Sequence, residues 1–142
     1  MGTGIEAKGV GEQMNVTLVD TDILIDVAMS IDEAVDCLAD IEKQSRPAIS
    51  AITEMELLVG CRNKGELQKT ERLLERFQVF HLNERISSAA VELIRKYRLS
   101  HGLLIPDALI AATALTQNFD FITKNQRDYR FIEGLKLQAY RG

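Results

Sequence analysis

The chain has 142 residues and a net charge of -4, with 46% apolar and 27% charged residues. This length fits one domain with a sizeable core, and the composition is globular rather than disordered. The acidic balance argues against a strongly basic nucleic-acid-binding surface, although it leaves room for a local basic patch. No apolar run reaches the roughly 18 residues that a membrane span needs, so we expect no membrane partner.

The amino terminus reads differently from the rest of the chain. Residues 1–14 are polar and rich in glycine, and they lack the apolar segment of a secretory signal. We expect residues 1–14 to be a flexible extension or the remnant of an expression tag, with Met14 as the natural start. Residues 15–142 are expected to form one domain.

The cysteines and histidines do not indicate a zinc site. Cys37 lies on an apolar helical face and Cys61 follows "LLVG", so both look like small core residues of a reduced, cytoplasmic protein. His81 and His101 stand in unrelated contexts, whereas zinc ligands usually come in closer pairs.

The first half of the chain predicts two strands and three helices. Residues 16–20, "VTLVD", are a short, β-branched and buried strand. A capping box of Ser30 and Glu33 predicts a helix over 31–44 with one apolar face. A short strand follows Pro47, and then two helices. These later elements are expected at residues 48–50, from near 52 to 61, and at 66–77.

The second half predicts three strands and two helices. Asn83 is a helix cap and Gly102 suits the left-handed position that ends the same helix. Pro106 lies in the first turn of the next helix, whose apolar residues occupy nearly its whole circumference, so this helix should be central and buried. The expected strands are 79–82, 119–123 and 135–140, and the expected helices are 83–100 and 103–118.

This alternation predicts an α/β fold: a mostly parallel central sheet of 4–5 strands with helices on both faces. Ligand sites of such sheets lie beyond the carboxyl ends of the strands. Five polar residues fall at strand ends or helix starts and could meet there. They are Asp20, Glu56, Asp107, Asn125 and Asp128.

Each acid also has a purely structural interpretation. Asp107 favours a helix amino terminus through the macrodipole, and Glu56 completes a capping box with Thr53. Asp20 could bond amides of the following turn, while Asp26 is expected to be a surface or capping acid.

The combination of these acids favours a catalytic role, because carboxylates gathered in one crevice repel each other and a divalent cation removes that repulsion. Oxygen ligands indicate Mg²⁺, or Mn²⁺, and such an ion suits phosphodiester hydrolysis.

Four segments in order resemble the PIN-domain ribonucleases, most closely the VapC-type toxins of toxin–antitoxin pairs. They are "LVDTDILID", "ISAITEMELLVG", "IPDALIAATAL" and "FITKNQRDYRFIEGLKL". The resemblance spans about residues 15–140 and implies a PIN-like three-layer fold. It makes Asp20, Glu56 (rather than Glu54) and Asp107 the catalytic acids that hold Mg²⁺, with Asn125 at the fourth catalytic position.

Two positions depart from the family pattern. Asn125 stands where many members carry Asp, and a neutral amide adds no charge, so one bound ion is expected rather than two. Asp22 stands where Ser or Asn is common, so Asp22 and Asp128 are secondary acidic candidates. The resemblance also implies RNA cleavage, a homodimer, and inhibition by a cognate VapB-like antitoxin, with which a larger complex could form.

Basic residues flank two of these segments. Lys124, Arg127 and Arg130 lie within the fourth segment, around Asn125 and Asp128. Arg62 follows the second segment. They are candidates for binding RNA phosphates, and otherwise they are solvated loop charges.

Two other functions stay open at this point. The first is a non-cleaving PIN-like module that binds RNA or protein, which Asn125 keeps open. The second is a phosphatase, because Asp20-Thr21-Asp22 is similar to the DxD motif of haloacid-dehalogenase-like enzymes. That motif wants Thr or Val where this chain has Leu24.

Overall fold

Residues 15–140 are the part of the chain that this computed structural model describes, and a central parallel sheet organises them. Its strands are β1 (Val16–Val19), β2 (Arg46–Ser50), β3 (Gln78–Phe80), β4 (Asp120–Ile122) and β5 (Lys136–Gln138). The strand order is β3-β2-β1-β4-β5, and each neighbouring pair is parallel. The expectation for residues 1–14 lies outside the described residues.

Helices connect these strands and cover the sheet. They are α1 (Thr21–Ala28), α2 (Asp32–Gln44), α3 (Ala51–Val59), α4 (Lys64–Leu74), α5 (Glu84–His101) and α6 (Ile105–Gln117), with a 3-10 turn at Gln126–Asp128. The sequence predicted no bounded helix at α1, only that "TDILIDV" starts the connection to the next helix and could itself be helical. Its sequence, "TDILIDVA", begins at the first residue after Asp20, which caps it through the Thr21 amide.

Two cores lie on opposite faces of the sheet, because consecutive strand residues point to opposite sides. Leu18 and Phe121 belong to the core that α5 and α6 cover. Val19 and Ile122 belong to the other core, which receives side chains from α1 to α4. The predicted three-layer α/β fold with a parallel sheet is therefore confirmed.

Both predicted capping boxes are wrong. Ser30 has a positive φ of 60°, and Ile31 precedes α2 without a side-chain hydrogen bond at the cap. Helix α3 begins earlier than expected, since the Ser50 side chain accepts a hydrogen bond from the Ile52 amide. Thr53 consequently lies inside the helix, where it is fully buried.

Several other local predictions are confirmed. The Asn83 side chain accepts from the Ile86 amide at the start of α5, and Gly102 ends that helix with a φ of 71°. Pro106 lies in the first turn of α6, a helix whose residues Ile110 to Ala114 are all buried. Because α6 packs against the sheet and carries Asp107 in its first turn, the core holds that residue in place.

Two further features concern the whole described region. Cys37 and Cys61 are both free thiols. Within residues 15–140, none of the helices combines the length and the apolar character that crossing a lipid bilayer requires.

Candidate functional site

Asp20 lies at the carboxyl end of the central strand β1 and is 6% exposed. Its amide donates to the Ile122 carbonyl, which carries the sheet ladder one residue past β1. Its Oδ1 accepts from the Thr21 amide at 2.9 Å, and its Oδ2 accepts from the Thr123 hydroxyl at 2.7 Å. The carboxylate is therefore held on both oxygens between two adjacent strand ends.

Asp107 joins Asp20 through a shared tyrosine. The hydroxyl of Tyr129 donates to Asp107 Oδ1 at 3.1 Å and lies 3.4 Å from Asp20 Oδ1. Tyr129 itself is buried and packs edge-on against Phe121 of the sheet. One rigid side chain thus sets the spacing of the two carboxylates.

Glu56 reaches the same region from α3. The Thr21 hydroxyl donates to Glu56 Oε1 at 2.7 Å and lies 2.9 Å from the Thr53 hydroxyl. Since Thr21 directly follows Asp20, this bond brings the Glu56 carboxylate beside β1. Glu54 instead lines a groove with α4 residues and Val79, so the structure brings Glu56 and not Glu54 to the cluster.

Asp22 holds the turn after β4. Its Oδ2 accepts from the Lys124 amide at 3.1 Å and the Asn125 amide at 3.0 Å, and it lies 3.2 Å from the Thr123 hydroxyl. Asn125 is exposed, and Asp22 fixes its backbone next to α1. Asp128 is exposed on the following 3-10 turn.

The surroundings of Asp20 and Asp107 disfavour the charged forms of their carboxyl groups. Burial, followed by the negative charge of Asp22, raises the pKa of Asp20 from 3.8 to about 7, against the opposing hydrogen bonds from Thr123 and Thr21. Burial also raises the pKa of Asp107, and the charges of Asp128, Glu56 and Asp22 act in the same direction. Burial, followed by the negative charges of Asp20 and Asp107, raises the pKa of Tyr129, so its hydroxyl stays a proton donor.

The donor set fits a hard divalent cation. Asp22 Oδ1 is buried without a hydrogen-bond partner, and the site side chains offer oxygen donors, as Mg²⁺ and Mn²⁺ prefer. In residues 15–140, no three His, Cys, Asp or Glu side chains already stand spaced to hold a metal ion. In this arrangement the Tyr129 hydroxyl donates to Asp107 and the Thr21 hydroxyl donates to Glu56. Glu56 is exposed, so its side chain is able to turn toward a cation.

The candidate RNA-binding cations fall into two groups. Lys124 forms an ion pair with Asp26 at 2.8 Å, and Arg62 forms one with Glu66. Asp26 therefore serves as a partner for the fourth segment. Arg127 and Arg130 are exposed beside Asn125, and in the described part of the chain neither forms an ion pair.

The sequence did not single out four side chains that position the acids. They are Thr21, Thr53, Thr123 and Tyr129. The hydroxyl residues at 21 and 123 each follow or end a predicted strand, at the edge where ligands bind. Position alone could therefore have indicated Thr21 and Thr123, whereas the local spacing of Thr53 and Glu56 indicated a capping box instead.

Comparison with known proteins defines the family. The model of the PIN domain family matches residues 17–133, and the chain therefore belongs to the PIN-domain family, as its four segments predicted. Within that family it is of the VapC type. Ribonuclease VapC10 of Mycobacterium tuberculosis is 37% identical over 120 residues, which cover 84% of this chain and 90% of the relative.

Solved structures agree with this assignment. A chain of a toxin–antitoxin complex from Klebsiella pneumoniae has a TM-score of 0.74 and 33% identity, and the match covers 88% of this chain and 98% of that one. A chain of VapBC2 from Rickettsia felis, solved with a DNA fragment from its promoter, has a TM-score of 0.75 and 25% identity, with 87% and 97% covered.

Proposed function

We propose that this protein is a Mg²⁺-dependent endoribonuclease, the toxin of a type II toxin–antitoxin pair, and that Mn²⁺ can replace Mg²⁺. The observation that carries the proposal is the convergence of Asp20, Glu56 and Asp107 beyond the carboxyl end of β1. Burial, followed by the charge of Asp22, raises the pKa of Asp20 to about 7. This supports the proposal, because a cation would stabilise the charged carboxylate against both effects.

Asp20, Glu56 and Asp107 would hold the ion, and Asn125 would take the fourth position as a neutral hydrogen-bonding group. When bound, the ion supplies an activated water and stabilises charge on a phosphoryl oxygen. The protein's own hydroxyls orient the acids: Thr21 fixes Glu56, and Tyr129 fixes Asp107.

The exposed guanidinium groups of Arg127 and Arg130 would bind RNA phosphates next to the acids. Lys124 and Arg62 would have to leave their carboxylate partners before they could do so. We therefore assign the first phosphate contacts to Arg127 and Arg130, and the secondary ones to Lys124 and Arg62.

Two glutamates of α3 allow a matched test. Purified wild type, E56Q, E54Q and D20N are incubated with a mixed set of RNAs in Mg²⁺ or Mn²⁺. Loss of cleavage in E56Q with cleavage retained in E54Q is the expected result, because only Glu56 contacts Thr21 beside Asp20. Equal cleavage by E56Q and wild type would refute the role of Glu56, and equal cleavage by D20N and wild type would refute that of Asp20.

A non-cleaving PIN-like binding module is the second candidate, and the neutral Asn125 favours it. Wild type that binds but leaves every RNA intact with either ion would support this module. Membership of the PIN-domain family favours both candidates over the DxD phosphatase. A chromogenic phosphomonoester is therefore expected to stay uncleaved.

A VapB-like antitoxin and a second copy of the chain are the proposed protein partners. The complexes from Klebsiella pneumoniae and Rickettsia felis support an antitoxin. Exposed Leu99, Leu104 and Ile105, at the junction of α5 and α6, support a homodimer through that face. The free thiols of Cys37 and Cys61 suit the reducing cytoplasm, where RNA is also available.

A further inference from the structure

Asp22 differs from the other acids of the site in how its two oxygens are used. Oδ2 accepts the amides of Lys124 and Asn125. Oδ1 is buried, yet it has no hydrogen-bond partner among residues 15–140. A buried carboxylate oxygen without a partner is costly. Holding the turn therefore explains the position of Oδ2 but not that of Oδ1.

The position of Asp22 relative to Asp20 indicates a role for Oδ1. The Thr123 hydroxyl lies within hydrogen-bond distance of both carboxylates, at 2.7 Å from Asp20 and 3.2 Å from Asp22. A hydroxyl has one proton, and the shorter distance assigns it to Asp20. Two carboxylates thus converge on one proton, so the negative charges of Asp20 and Asp22 lie close together.

Asp26 shows that this arrangement is specific to Asp22. It lies one turn further along α1, and Lys124 Nζ neutralises it at 2.8 Å. No basic side chain in the described region forms such a pair with Asp22. Asp22 therefore has no ion pair of its own next to Asp20 and interacts with Lys124 only as a secondary charge, behind the Lys124–Asp26 pair. A cation at the site would compensate the charge of Asp22 more fully.

We propose that Asp22 supplies the negative charge that Asn125 lacks, with Oδ1 facing the divalent cation while Oδ2 holds the Thr123–Asn125 turn. This inference rests on the proposed function, because it needs a cation at the site. It assigns Asp22 two tasks on one side chain: positioning the fourth segment and binding the ion.

Mn²⁺ affinity in the absence of RNA tests the inference. Isothermal titration calorimetry compares metal-free wild type, D22N and D26N at one ionic strength. D22N keeps an oxygen that can accept the two turn amides but loses the charge, and D26N makes the same change in net charge on the same helix. We expect D22N to weaken Mn²⁺ binding about tenfold or more, the range typical of groups around a metal, and D26N to change it less than about twofold.

A double variant that moves the negative charge from position 22 to position 125 provides a second test. The backbone amide of Asn125 lies 3.0 Å from Asp22 Oδ2, so residue 125 begins next to Asp22, and we infer that a carboxylate there would lie within a side chain's length of it. The double variant D22N/N125D is therefore expected to recover most of the lost affinity. Recovery would show that the carboxylate charge, and not the anchoring of the turn, is what the ion requires.

Two outcomes would overturn the inference, with D20N titrated in the same way as a further variant. Equal Mn²⁺ affinities of D22N and D26N, with binding lost in D20N, would overturn the role of Asp22 and leave the proposed function standing. Absence of Mn²⁺ binding by wild type would overturn both. Should D22N not fold, as judged by its thermal transition, D22S replaces it and is held to the same tenfold criterion.

Discussion

Asp20→Asn is expected to stabilise the cation-free protein at neutral and alkaline pH. In the unfolded chain the Asp20 carboxyl has its ordinary pKa of 3.8, and in the folded protein burial raises the pKa to about 7. Between these values the folded state binds more protons than the unfolded state. Stability therefore falls as pH rises from about 4 to about 7, and it stays low above that range.

The size of the effect follows from the two pKa values. A difference of about three pK units corresponds to about 4 kcal/mol above pH 7, and the side chain is only 6% exposed, so solvent screening reduces it little. The asparagine loses one acceptor oxygen now used by the Thr21 amide or the Thr123 hydroxyl, which costs about 1–2 kcal/mol. The net gain is about 2 kcal/mol, or roughly 6–10 °C in Tm for a domain of this size.

Thermal unfolding of chelator-treated wild type and D20N from pH 4 to pH 8, at constant ionic strength, measures this. The variant should be more stable at pH 8, and its advantage should vanish near pH 5. D26N is the matched control, because Asp26 is paired with Lys124 and its loss should not stabilise the protein. A D20N protein that is less stable than wild type at pH 8, or that keeps the wild-type pH dependence, would refute the reasoning.

Three further predictions concern the second acid, the RNA-binding cations and the dimer. Asp107→Asn should raise the Tm of the cation-free protein while abolishing stabilisation by Mg²⁺, as measured by thermal unfolding with and without the ion. Arg127→Ala should weaken RNA binding and lower the salt slope of log Kd by about 1 in fluorescence anisotropy titrations, whereas Arg62→Ala should change both less, since Glu66 already neutralises Arg62. Ile105→Asp should convert the proposed dimer to a monomer in light scattering, and Val35→Asp on α2 should not.

Each of these predictions has a result that contradicts it. Mg²⁺ stabilisation that survives Asp107→Asn would remove Asp107 from the cation site. Unchanged RNA affinity of Arg127→Ala at low salt would show that its guanidinium is a solvated loop charge. A dimer that persists in the Ile105→Asp variant would place the interface away from the α5–α6 junction.

Predictions from the sequence succeeded where one local rule decided the structure. Asn83 and Gly102 bound α5 as their conformational preferences indicate, and the apolar circumference of α6 marked a buried helix. Short parallel strands were recognisable from β-branched apolar runs. The strand and helix order then sufficed to place the acids at one edge of the sheet.

Failures came where a distant contact outweighed the local signal. Thr53 and Glu56 have capping-box spacing, but both side chains turn to Thr21, which lies 32 and 35 residues away along the chain. Ser30 and Glu33 have the same spacing, yet Ser30 enters the left-handed region to join α1 to α2. Asp22 was recognised from the sequence as a secondary acid, but the turn that it holds was not, since its amide partners belong to residues 124 and 125.

The bonds that close the site join the two ends of the described chain. Thr123 contacts Asp20 across 103 residues, and Tyr129 contacts the same carboxylate across 109. During synthesis, Asp20 emerges from the ribosome first and has no Thr123 or Tyr129 to bind until β4 and the turn after it have followed. An incomplete chain that stops before residue 119 therefore holds Asp20 and Asp107 without Thr123 and Tyr129, the residues whose hydroxyls contact them. Assembly of the site is coupled to completion of the polypeptide.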